Sequence, residues 1–212
     1  MPGSDVPDWL QPLIDAVQDL DGQALSRFLP PDDSGRRSAV LMLFGESDDG
    51  PDVLLIQRAS DIRSHAGQPA FPGGGLDPDD SGPVAAALRE AQEETGLDPS
   101  GVEVLNVLPE LWLPPSNYVV TPVLGWWREP SEVSVEDPVE VSEVHRVPVA
   151  ELVDPANRVR VRHPSGYIGA GFTVRGMLVW GFTAGLLDRM IALAGWEQPW
   201  DRERIVDLEW TG

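Results

Sequence analysis

The chain contains no cysteine. That excludes disulfides, zinc–thiolate centres and thiol nucleophiles. Basic side chains are scarce, 15 against 35 acidic ones, for a formal charge of −20 at pH 7. So acidic a surface repels polyanions within a Debye length and argues against nonspecific nucleic-acid binding. Long apolar runs are missing too. The longest, Gly176 to Leu187, is bounded by Arg175 and by Asp188-Arg189. It is too short for a bilayer and reads as a buried helix, so no membrane role is expected. No basic segment precedes an apolar stretch at the N-terminus, so a cytoplasmic location without a signal peptide is expected. There is no Gly-x-Ser-x-Gly elbow, which disfavours a Ser-His-Asp hydrolase. No internal repeat is apparent, and 212 residues suit one domain with terminal decorations.

What is present concentrates between Gly74 and Leu97. Glu90, Glu93 and Glu94 fall at helical offsets that share one face. Val84, Ala87, Leu88, Ala91 and the Thr95 methyl form a separate apolar stripe. Two unit charges about 5 Å apart repel by roughly 3 kcal/mol at an effective dielectric near 20. A solvated helix face tolerates such a cluster, and that is the ordinary reading of a glutamate run. A divalent cation relieves it, and an all-oxygen set suits Mg²⁺ or Mn²⁺. Four residues separate Arg89 from Glu93, so the arginine can hold that carboxylate. Gly96 is placed for a left-handed cap. Ser81 reads as the N-cap ahead of Gly82-Pro83. Gly73, Gly74 and Gly75 let backbone approach a metal or phosphate closely.

Gly75 followed by Arg89-Glu90-Ala91-Gln92-Glu93-Glu94-Thr95-Gly96-Leu97 resembles the Nudix box. Two positions depart from it: Ser81 stands where the first glutamate belongs, and Ala91 fills an aliphatic slot. Upstream, Leu54-Leu55-Ile56-Gln57-Arg58-Ala59 leads to Arg63, His65, Gly67, Gln68 and Phe71-Pro72-Gly73-Gly74. This is similar to the motif of the coenzyme A pyrophosphatase branch, with Ile56 where threonine is common. Members of that branch often carry aspartate in the loop, as Asp77 and Asp80 do here. Weaker echoes extend the resemblance over about residues 36 to 195. It divides the chain into an N-terminal helical extension (1–35), a Nudix hydrolase domain (36–195) and a C-terminal tail (196–212).

The resemblance implies an α/β fold, a mixed sheet between helices in an α/β/α sandwich. Pattern alone gives only α+β or α/β. Periodicity predicts a helix over 8–20, a linker over 32–37, and strands over 38–44, 53–57, 102–108, 118–126 and 143–147. It also predicts a short helix over 150–157, a hairpin from 158–162 to 167–172 and a long helix over 173–194.

A pyrophosphate bond resists attack because its oxygens are anionic, so hydrolysis needs a cation, an oriented water and a base. Glu90 and Glu94 are the first metal candidates, and Glu93 is the third. A carbonyl of the Gly73–Gly75 turn is a further candidate. Arg89 would orient Glu93. The resemblance implies a base that is either a box glutamate such as Glu93 or a carboxylate from a later loop, for which Glu140 and Glu143 are candidates, with Glu136 behind them. Arg58, Arg63, His65, Gly67, Phe71, Gly73 and Gly74 are candidates for substrate binding, the arginines because guanidinium forks match phosphate oxygens. An arginine here is equally read as a structural ion pair. The resemblance implies cleavage of coenzyme A or acyl-coenzyme A with Mg²⁺ or Mn²⁺. The alternatives are another nucleoside diphosphate derivative (ADP-ribose, NADH) and a silent nucleotide-binding domain. Trp196, Trp200 and Trp210 are candidates for a homodimer contact.

Overall fold

The computed structural model describes residues 6–26, 28, 30, 35–59, 67–114 and 116–208. In chain order its helices are α1 (Gln11–Val17), α2 (Gly22–Leu25), α3 (Pro83–Thr95), α4 (Val149–Val153) and α5 (Gly181–Leu193). The main sheet contains β1 (Arg36–Ser47), β2 (Gly50–Arg58), β3 (Pro69–Ala70), β4 (Gly73–Gly75), β5 (Val102–Val107), β6 (Leu111–Leu113), β7 (Tyr118–Trp127) and β8 (Val141–Pro148). A second sheet contains β9 (Arg158–Arg162), β10 (Ile168–Val174), β11 (Met177–Val179) and β12 (Ile205–Asp207), in the order β11-β10-β9-β12.

β1 organises the main sheet. It runs parallel to β7 and antiparallel to β2 and β4. Its apolar run has no polar side because both faces are covered. Ala39, Leu41 and Leu43 pack towards α3, with Leu54, Val123 and Trp127. Met42 and Phe44 point the other way, into a larger core with Leu13 of α1, Phe172 of β10 and Leu187 of α5. The expected arrangement of helices around a mixed sheet is therefore what the chain adopts. The second four-stranded sheet is additional to it.

α3 contributes mostly small residues to its interface. Ala86, Ala87 and Ala91 are fully buried. Small side chains let the helix lie close to β1 and β4, which brings its acidic residues against the backbone of Gly73–Gly75. Pro83 begins the helix as expected. Gly96 ends it at φ 71°, its N–H donating to the Gln92 carbonyl. Ser81 is not the N-cap. Gly82 holds that position, with no side-chain hydrogen bond.

Several boundaries move. α1 is confined to residues 11–17, and Trp9 lies in the turn before it. Arg36 and Arg37 belong to β1 and not to a linker. The helix expected over 173–194 is instead the end of β10, a tight turn, β11 and α5. Arg175 and Gly176 both have positive φ, 51° and 78°, and join Val174 to Met177 as a two-residue hairpin loop. That loop divides the longest apolar run into a strand and a helix.

The segments around Trp9 and around Trp196 and Trp200 pack on the rest of the fold. Trp9 meets Phe44, Trp126 and Trp196 at ring-centroid distances of 6.5, 6.1 and 5.7 Å. The Arg158 guanidinium lies 4.8 Å from the Trp200 ring and 4.7 Å from the Phe172 ring. Trp196 and Trp200 are thus engaged within the chain, and Trp210 lies outside the described residues. No helix among the described residues is long and apolar enough to cross a membrane.

Candidate active site

The Nudix-like helix does not present its three glutamates equally. Glu93 is exposed, Glu90 is half-buried, and the Glu94 side chain is only 3 % exposed. Glu94 sits in the last turn of α3, under the loop that follows β7. There, Ser134 and Glu136 N–H groups donate to the Thr95 and Glu94 carbonyls. The Glu136 carboxylate is turned to the Ser134 hydroxyl at 2.9 Å.

Glu94 Oε2 accepts from the Gly73 N–H at 2.9 Å. Its other oxygen, Oε1, is buried without a hydrogen bond, with Arg58 Nη1 3.8 Å away. Burial pushes the Glu94 carboxyl up to about 8. The Gly73 N–H and Arg58 oppose that rise, while Glu90 and Glu140 add to it. A place near the negative end of the helix is unfavourable to the charged form as well. Burial also raises the Glu90 carboxyl, against the pull of Arg89.

Arg89 is the fixed point of the site. Its guanidinium donates to Asp80 from Nε at 3.1 Å and Nη2 at 2.9 Å, to the Gly75 carbonyl at 3.1 Å, and from Nη1 to Glu90 and Glu93 at 3.0 Å each. The Glu93 pair is the expected one, four residues apart. The Asp80 fork was not identified from sequence. It supplies an acidic partner one position before Ser81, where the Nudix pattern has glutamate. Asp80 is itself fixed by the Asp77 N–H at 2.8 Å. The Arg89 bond holds the Asp80 carboxyl below the usual range, and Asp80 in turn holds Arg89 more firmly charged. The sequence signal was an aspartate-rich turn before the helix, but only loop geometry selects Asp80 from it.

The glycine requirement is clearest at Gly73, where φ is 155° and a Cβ would lie 2.3 Å from the Ala39 carbonyl oxygen; Gly74 faces a side chain instead. A Cβ on Gly74 would lie 2.4 Å from the Glu90 Cδ. Gly67 has φ 66° and donates its N–H to the Ala59 carbonyl, closing the motif loop. Arg63 and His65 lie outside the described residues.

Arg58 ends β2, where the pairing with β8 shifts register. Ser142 is the extra residue of this bulge, and Glu140 comes to 3.5 Å from Arg58 Nη2. Glu140 is close enough to Glu90 and Glu94 to push both carboxyls upward. Glu143 is not at this site. It pairs with Gln57 and lies on the face of β8 away from α3, 3.0 Å from His145. The alternation of a strand places Glu143 and His145 together and Val144 against the α3 core. Phe71 is a second correction. The residue is 2 % exposed and belongs to the larger core, so it offers no ring to a substrate.

The hard oxygens of Glu90 and Glu94 suit Mg²⁺ or Mn²⁺ chemically, and the unsatisfied Glu94 Oε1 is the atom such an ion would complete. Among the described residues, no three acidic or imidazole groups already stand together as a metal nest. Arg58 lies between Glu94 and Glu140, and Arg89 lies between Glu90 and Glu93. A groove of about 390 Å³ opens near Pro83, Asn106, Val107 and Thr121; its acidic lining residues are Asp19 and Glu110, and Glu90, Glu93, Glu94 and Glu140 do not line it. Chemistry, not concavity, therefore locates the site.

Comparison with known proteins gives the family. The profile described as NUDIX domain matches residues 35–166. A protein of Escherichia coli O7:K1 named "Uncharacterized Nudix hydrolase NudL" is 41 % identical over 150 residues, covering 68 % of this chain and 74 % of that protein. One of the same name from Citrobacter koseri is 38 % identical over 182 residues, covering 80 % and 91 %. Among solved structures, a Nudix hydrolase from M. smegmatis, RenU, superposes with a TM-score of 0.54 at 20 % identity, covering 79 % of this chain and 90 % of that one. That similarity concerns the fold. With the profile covering more than half its length, and an Arg89-braced acidic helix set against a glycine strand, the chain belongs to the Nudix hydrolase family.

Proposed function

We propose that the protein hydrolyses the diphosphate bond of coenzyme A or an acyl-coenzyme A, using Mg²⁺ or Mn²⁺. The products are adenosine 3′,5′-bisphosphate and 4′-phosphopantetheine or its acyl form. The observation that carries the reading is the buried Glu94 carboxylate. It joins the two motifs physically, because Gly73 and Arg58 of the upstream motif both face it from outside the box helix.

Glu90 and Glu94 are the assigned cation ligands, with Glu93 supporting them through Arg89. A cation bound there neutralises the anionic oxygens of a diphosphate. The protein's own part is positioning. Asp80 and the Gly75 carbonyl fix Arg89, and Arg89 fixes the orientation of Glu90 and Glu93. Gly74 leaves room for the Glu90 carboxylate. Of the two later-loop candidate bases, Glu140 is preferred: it is half-exposed and beside Glu94, so it can take a proton from water and pass it to solvent. Arg58, with Arg63 and His65 of the same motif, is assigned to the phosphates.

The test is a substrate panel of coenzyme A, its form lacking the 3′-phosphate, ADP-ribose and NADH, each with Mg²⁺ or Mn²⁺ and product identification. Coenzyme A should be cleaved fastest. Glu94→Gln should remain folded and lose nearly all turnover. Glu140→Gln should lose about 10²–10⁴-fold, the range of a general base, while Glu143→Gln stays near wild type. Normal turnover by Glu94→Gln would defeat the ligand assignment, and preference for ADP-ribose would defeat the substrate assignment.

A further inference from the structure

All 15 basic residues of the chain are arginines, and the two at this site are held very differently. Arg89 is locked by hydrogen bonds of 2.9 to 3.1 Å to four partners. Arg58 faces two carboxylates at 3.5 and 3.8 Å, beyond good hydrogen-bonding distance. Its Nε is buried and unpaired, and so is the Glu94 oxygen opposite it. Among the described residues, Arg58 supplies charge to this pocket without a close side-chain hydrogen bond that its departure would break.

We propose that Arg58 is a placeholder cation, held beside Glu94 until a divalent ion takes that carboxylate, whereupon its guanidinium is freed for an anionic diphosphate. This rests on the reading of Glu90 and Glu94 as cation ligands. The argument is one of shared partners. Glu94 and Glu140 are the only acids facing Arg58 in its ion pairs among the described residues. A divalent ion on Glu94 competes with the guanidinium for that carboxylate and repels it. Glu140 is half-exposed and can move with the departing guanidinium, whereas Glu94 is buried and fixed by Gly73. The freed guanidinium carries five donors suited to phosphate oxygens. Cation binding would then prepare the diphosphate site, and by linkage each ligand strengthens the other.

The experiment measures Mn²⁺ binding from the free-ion paramagnetic resonance signal, with and without methylenediphosphonate, a non-hydrolysable diphosphate. Arg58→Gln should bind Mn²⁺ alone several-fold more tightly than wild type. It should bind the diphosphonate more weakly once loaded, cutting the coupling between the two ligands by about tenfold, within the usual range of such couplings. Opposite signs in one variant distinguish a placeholder from a static phosphate ligand. A second arm uses the wild-type protein. The ¹⁵N–¹H signal of Arg58 Nε, identified by its absence in Arg58→Lys, should shift on Mg²⁺ addition before any anion is present. An unmoved signal, or unchanged Mn²⁺ affinity in Arg58→Gln, overturns the proposal while leaving the metal site standing. If wild type and Glu94→Gln both fail to bind Mn²⁺, the cation reading itself fails and takes the proposal with it.

Discussion

Replacing Glu94 by glutamine should stabilise the protein when no divalent ion is present, and increasingly so as pH rises. The side chain is 3 % exposed, one of its oxygens has no hydrogen bond, and burial lifts its carboxyl from 4.5 to about 8. In the unfolded chain the group ionises near its ordinary value. A raised value in the folded state means that folding takes up a proton between those two pH values, so stability is full below about 4.5 and falls as pH climbs towards 8. At 1.36 kcal/mol per pH unit of displacement, this one group costs the folded state about 4 kcal/mol between pH 5 and 9. Glutamine removes the charge and keeps an oxygen for the Gly73 N–H. Urea unfolding in a chelator, compared for the two proteins from pH 5 to 9, gives the difference directly. The curves should lie close together at pH 5 and diverge by several kcal/mol at pH 9. Saturating Mg²⁺ should narrow the gap by stabilising the ionised wild type. Parallel curves across the whole range would mean that Glu94 is not the buried, destabilised acid described here, and the metal argument would lose its central ligand.

Two other changes probe the supports of the site and of the fold. Gly74→Ala puts a Cβ into the space of the Glu90 carboxyl, at 2.4 Å from Cδ. The carboxylate is the free end of a side chain and can swing away, so thermal stability should change little while Mn²⁺ affinity falls about 10–100-fold, as when the support of a ligand is lost; unchanged affinity would refute the contact. Trp200→Ala removes one ring beside the buried Arg158, which pairs with Asp188 and rests on Phe172. Chemical denaturation should show a loss of about 3 kcal/mol from lost aromatic burial and cation–π contact, and a loss under about 1 kcal/mol would show that residues 196–208 are not anchored there.

The stretch around the acidic helix was the most legible part of the sequence. Its period, the proline at its start and the glycine at its end act over a few residues, and α3 follows them from Pro83 to Gly96. The Arg89–Glu93 pair was readable for the same reason. The strands of β1 and β2 were readable too, as the apolar runs over 38–44 and 53–57, and they pair antiparallel. The end of β10 was not, because Arg175 and Gly176 can reverse a strand only once β11 has an apolar face to pack against. Asp77 and Asp80 looked alike until the loop folded, and Asp80 alone then formed the fork to Arg89.

By itself the sequence determined the chemistry available: no thiol, arginine as the only lasting cation, and glutamates spaced to share one side of a helix. Tertiary structure decided which of them count. Packing buried Glu94, left Glu93 in solvent, drew Phe71 into the core and, through the bulge at Ser142, put Glu140 beside Arg58 while turning Glu143 away. These choices depend on burial and on which strand faces which, and burial sets the charge state of a carboxyl far more strongly than its neighbours in sequence do.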